Sequence, residues 1–216
     1  MSGSRLVFLG LCLALLLMEE IPGSSVLRAL FIVPMMIPAV VVGLNFKLIF
    51  DTFGPLNGFL QAIGLDRIPW LSDPTWARAA VVLSDVWQWT PFMFIILLAG
   101  LQSIPDELYD SAKVDGAVGW TLFRHITWPM LVPSATVAIA FRVMDVLRIF
   151  DIPFMMTNGG PSFATEVLSL YIFRTSFRFG SMSYAATLAF LMLIILSVTI
   201  NFITKATKLS TRLEWD

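Results

Sequence analysis

Stretches without a charged side chain recur along the chain, separated by shorter segments rich in polar residues, glycine and proline. Uncharged runs cover Leu6–Met18, Ala29–Phe46, Val86–Pro105, His125–Phe141 and Phe179–Thr204. A bilayer core of about 30 Å needs about 20 apolar helical residues to cross it. The last run is long enough alone, the first is too short alone, Val86–Pro105 matches that length, and the other two become spans with their flanks. The pattern predicts an all-α polytopic transmembrane bundle of about five spans in a single domain, 1–216.

The intervening segments have distinct characters. Ala29–Phe50 carries Pro34 and Pro38, which bend a helix but are tolerated in membranes where neighbours re-satisfy the backbone. The stretch from Asp51 to Trp76 is rich in Gly, Pro, Asn and Asp and reads as an extramembrane loop, with a short interfacial helix over Asn57–Ile63. Trp70 and Trp76 are expected at the headgroup level. Ala77–Leu101 follows as a span. Residues 102–130 form a polar loop with four acids, Asp106, Glu107, Asp110 and Asp115, against Lys113 and Arg124. Ser103 before Pro105 suits a helix start and Gly116 with Gly119 a stop, while Leu108, Ala112 and Val114 supply a partial apolar face. This predicts a short amphipathic helix outside the membrane. Asn158–Pro161 spells a turn, and Ser162–Phe177 reads as an interfacial helix before the closing span.

Composition agrees with a lipid solvent. Of 216 residues, 57% are apolar and 13% charged, at a mean hydropathy of +0.83, against about 25% charged in soluble domains. Fourteen basic and fifteen acidic side chains leave a net charge of −1, which excludes nucleic acid as a main partner. A lone cysteine, Cys12, and a lone histidine, His125, make neither an internal disulfide nor a Cys/His metal site. Lys and Arg do not set the orientation, since six fall on one side and five on the other.

The span 131–156 carries Arg142, Asp145, Arg148 and Asp151 three residues apart, so that each Arg has an Asp within helical reach. Ionisable groups at membrane depth are costly and mark substrate paths by default. Structural ion pairs holding the bundle are the competing reading. A membrane-embedded enzyme using these charges is one alternative function, and a non-transporting structural subunit another.

The polar loop carries a recognisable pattern. Asp110-Ser111-Ala112, three residues, Gly116, nine residues and Ile126-Thr127-Trp128-Pro129 resemble the EAA motif of binding-protein-dependent ABC importer permeases, with Asp for Glu and Trp for Leu. The segment Phe150-Asp151, Thr157 to Pro161, and Thr165-Glu166 to Tyr171 is similar to the F-D…T-x-G-G-P…T-E-x-L-x-x-Y stretch of the sugar permeases, the group that includes the larger maltose-system membrane subunit. The likeness covers essentially the whole chain.

This resemblance implies a type I ABC importer permease fold, usually of six spans, so the chain reads as lacking its first helix. A secretory signal over Leu6–Met18 is the competing reading of the N-terminus. The resemblance also implies a multi-pass protein of a bacterial-type inner membrane with a cytoplasmic C-terminus. Its partners would be a second permease subunit, an ATPase dimer holding ATP and Mg, an extracytoplasmic solute-binding protein and a sugar. The chain itself lacks G-x-x-x-x-G-K-[ST] and would bind no cofactor or metal and perform no catalysis. The coupling residues would be Leu108, Tyr109, Asp110, Ser111, Ala112, Asp115, Gly116, Ala117, Ile126 and Pro129. In that reading Leu108, Tyr109 and Ala112 enter an ATPase groove and Asp110 meets a base at its rim. Asp145, Arg148, Tyr184 and Thr187 are expected along the substrate path.

Overall fold

The computed structural model of the protein describes residues 10, 13–15 and 24–213. Among these the chain is helical, without a strand. The main helices are α1 (Ser24–Met36), α2 (Ala39–Ile49), α3 (Pro55–Ala62), α4 (Pro74–Gln102) and α5 (Asp106–Val114). They continue with α6 (Trp120–Leu122), a π-helical turn (Phe123–Thr127), α7 (Trp128–Leu147), α8 (Asp151–Met156), α9 (Leu168–Phe177) and α10 (Met182–Leu213). Three stretches among the described residues are long and apolar enough to cross a membrane: Pro74–Gln102, Trp120–Met156 and Met182–Ile203. A fourth arises if α1 and α2 form one broken span, bent by 98°. The run Leu6–Met18 lies mostly outside the described residues; within it, Gly10 and Leu13–Leu15 are helical.

The break between α1 and α2 follows from Pro38, which has no N–H to extend the helix. It exposes the carbonyl of Ile37, to which Gln88 of α4 donates from Nε2 at 2.9 Å. A side-chain amide thus replaces the lost main-chain donor, as a low-dielectric environment requires.

The helices form two compact units, and α1, α4, α7 and α10 each contribute to both. One unit takes in residues up to Val33, Trp89–Val143 and those from Thr199 onward; the other is Pro34–Gln88 with Met144–Val198. In the first, Phe94, Leu97, Leu98, Leu101 and Ile104 pack with Leu131 and Ala135. Gly100 is what lets α4 and α7 meet there: a Cβ on it would lie 2.6 Å from Ser134. Small residues at such crossings replace the hydrophobic driving force that lipid does not supply.

In the second unit, Val42 and Phe50 pack with Ala80, Val81, Ile152 and Met156. The loop after α2 is pinned by Asn57, which is fully buried. Its Nδ2 donates to the carbonyls of Asp51, Thr52 and Ile68, and its Oδ1 accepts from the Ile68 N–H at 3.0 Å. Trp70 is half-buried against this core, 5.1 Å from Phe50 and 5.0 Å from Trp76 between ring centres.

Candidate functional site: the loop between α4 and α7

The polar loop forms the expected short helix, with shifted boundaries. Pro105, at φ −60° and ψ 136°, is the N-cap of α5, while Ser103 instead closes α4 by donating to Gly100 O at 2.7 Å. Asp106 and Glu107 occupy the first turn and Lys113 the last, all complementing the helix dipole. At the C-terminus the Gly116 N–H bonds to Lys113 O at 3.0 Å and the Ala117 N–H to Ala112 O at 2.9 Å. This pair is the Schellman closure, which needs a left-handed residue after the cap. Gly116 supplies it at φ +80°. A side chain there would meet nothing of this chain within 4 Å.

The loop divides into an inner and an outer face. Tyr109 packs against the core of the first unit and its hydroxyl lies 3.4 Å from Thr127 Oγ1; Ala112 is buried. These two therefore hold α5 to its own bundle, and of the residues expected to enter a partner's groove Leu108 is the one that stands exposed. The outward residues are Leu108, Asp110, Ser111, Asp115 and Gly116. Asp110 pairs with Lys113 at 3.2 Å, with both side chains exposed. Such a pair contributes about 0–1 kcal/mol and gives way readily to another partner. Ala117, Ile126 and Pro129 are half-buried.

The loop's second half is helical where hydrophobic spacing does not predict it. After Gly119, Trp120 opens a helix that passes through the π turn into α7, with Trp120 stacked on Phe123 at 5.3 Å. A π turn inserts one residue and rotates the helix beyond it; Thr127, its last residue, is buried and lies against Tyr109. Val114 is 88% exposed, and Val118 and Trp120 are 71% exposed. Val118 and Trp120 escape the sequence pattern because one precedes and the other opens a three-residue helix, too short for periodicity to reveal an apolar face.

The charge ladder is not one helix face. Arg142 and Asp145 lie on α7, which ends at Leu147; Arg148 is exposed in the break, and Asp151 begins α8. Arg142 is 2% exposed, its guanidinium 5.6 Å from the centre of the Trp89 ring. Tyr184 and Thr187 are exposed on α10, and Thr187 donates to Ser183 O at 3.0 Å. Asp85 and Gln88, both buried on α4, are functional candidates that the sequence pattern did not single out. Their signal is two polar residues three apart inside an apolar helix. The span read over Ala77–Leu101 contains both, yet an uncharged run counted from Val86 leaves Asp85 outside it.

A polytopic helical protein with a capped polar helix between two spans has the layout of a transport permease. The sequence matches, over residues 7–207, the family described as binding-protein-dependent transport system inner membrane component, and the chain belongs to it. It is 38% identical over 204 residues to the trehalose/maltose transport system permease protein MalF of Thermococcus litoralis, covering 94% of this chain and 69% of the relative. It is 40% identical over 187 residues to the sulfoquinovosyl glycerol transport system permease protein SmoG of Agrobacterium fabrum, covering 86% of this chain and 61% of that relative. The structure also resembles a chain of a bacterial alginate ABC transporter solved with an alginate pentasaccharide-bound periplasmic protein. The TM-score is 0.82 at 28% identity, over 94% of this chain and 73% of the other. The family is one of transport permeases, so the membrane-enzyme alternative is set aside.

Proposed function

We propose that this chain is the permease subunit of an ATP-driven importer for a sugar, lining half of the translocation path and driven through α5 by an ATPase dimer. One observation carries the reading: α5 is fastened to its own bundle by Tyr109 and Ala112 while Leu108, Asp110, Val114 and an open Gly116 face outward. A helix clamped on one side and bare on the other transmits displacement, because a packed core moves as a body. A merely solvated loop does not require the bare apolar side chains of Val114, Val118 and Trp120. ATP and Mg are held by the partner ATPase, and this chain responds by shifting between inward-open and outward-open states.

If each span crosses once, the α4–α7 loop and the end of α10 share the cytoplasmic side. Residues 51–73 and 157–181 then face out, toward a solute-binding protein. Sugars offer hydroxyls and apolar ring faces, which suits Arg142, whose guanidinium lies 5.6 Å from the centre of the Trp89 ring. Asp145 and Arg148, in the last turn of α7 and in the break after it, and the exposed Tyr184 and Thr187 on α10 are the further residues assigned to substrate contact. The test is reconstitution of this chain with its second permease and ATPase in proteoliposomes. ATP-dependent uptake of a sugar delivered by the binding protein is expected; hydrolysis without any solute uptake would contradict the reading.

A further inference from the structure

The turn between α8 and α9 carries an unusual side chain. Phe163 has φ +60°, directly after Ser162 at φ +48°. A bulky residue is sterically penalised in this left-handed region, where Gly or Asn sits freely. The ring is also 69% exposed. Its contact is with the Arg174 guanidinium, 5.6 Å from the ring centre. The backbone beneath is held from several sides. Thr165 Oγ1 donates to Gly160 O at 2.8 Å and lies 2.6 Å from Thr157 Oγ1. Arg174 pairs with Glu166 at 2.6 Å and donates to the carbonyl of Asn158, with both charged side chains largely buried.

The ring is thus held outward in a conformation the residue resists, on a base that does not let it relax. Strain persists where surrounding structure over-determines it, and such outliers gather at binding sites. A rigid aromatic presented at low entropy cost is the usual anchor of a protein interface. The segment lies beyond the span that ends at Met156 and before the one that starts at Met182, at the end opposite α5 if each span crosses once. The similar alginate transporter was solved with its periplasmic protein bound.

We infer that Phe163 is a docking anchor for the solute-binding protein, seated in a pocket on that partner; this rests on the importer reading above. The test uses the complete transporter in nanodiscs, measuring its affinity for the solute-binding protein of its own system and, with that protein left out, its thermal unfolding. Phe163→Asn, which suits the left-handed backbone, is expected to leave the unfolding temperature unchanged or higher while weakening binding at least tenfold. Phe163→Trp is expected to bind within threefold of the original chain. Binding of Phe163→Asn within twofold would overturn the assignment, as it would for a ring that only rests among lipid headgroups. A lowered unfolding temperature alongside weaker binding would also overturn it, since the ring would then serve the fold. If the unaltered complex binds no such protein, the importer reading itself fails.

Discussion

Replacing Gly116 by Asn separates a docked loop from a solvated one. In the free subunit the cost is small. Gly116 holds φ +80° to close the Schellman turn, and Asn is the side chain that best tolerates this region. An Asn Cβ meets nothing within 4 Å. The loss of subunit stability is therefore expected to stay under about 1 kcal/mol. If an ATPase surface packs over the turn, the added atoms must fit a filled interface, and such overpacking costs about 1–3 kcal/mol. At about 1.4 kcal/mol per tenfold, association falls about 5- to 150-fold. Gly116→Ala is the control, with a similar backbone cost of about 1 kcal/mol and less bulk. The assay is co-purification and ATP hydrolysis of the complex, beside thermal unfolding of the isolated subunit. Assembly and hydrolysis equal to those of the unaltered chain would refute the reasoning.

Two further outcomes test other parts of the account. Asn57→Ala removes the donor shared by three carbonyls and the acceptor of the Ile68 N–H at a fully buried site. A loss of about 1–3 kcal/mol is expected, read by thermal unfolding and by new proteolytic cleavage within residues 51–73. Arg142→Gln removes the buried cation over Trp89; uptake is expected to fall at least tenfold while the ATPase still co-purifies, and unchanged uptake would exclude Arg142 from the path.

The spans and the polar helix are legible in the sequence because both are periodic or punctuated features. Apolar runs near bilayer length fix where α4 and α10 lie, and Gly116 with its offsets marks the end of α5. Features set by tertiary contact are not legible. Trp70 looks like an interfacial anchor by type, whereas its packing against Phe50 and Trp76 is set by tertiary contact. Tyr109 and Ala112 read as part of an apolar docking stripe; that they pack on their own bundle, with the Tyr109 hydroxyl 3.4 Å from Thr127 Oγ1, rests on contacts distant in sequence. The three-residue charge spacing assumes an unbroken helix, and the break after Leu147 removes Arg148 and Asp151 from that face. Ser162 and Phe163 are expected in a helix that starts only at Leu168, because backbone conformation at a strained turn leaves no mark in hydrophobic spacing.

The central claim is that the outer face of α5 lies against the ATPase. A photoreactive amino acid placed at Val114, which is exposed on that face, tests it in the assembled complex. A covalent adduct with the ATPase subunit, whose yield changes on adding nucleotide, is the expected result. Adducts with lipid alone, or with the solute-binding protein, would contradict the account.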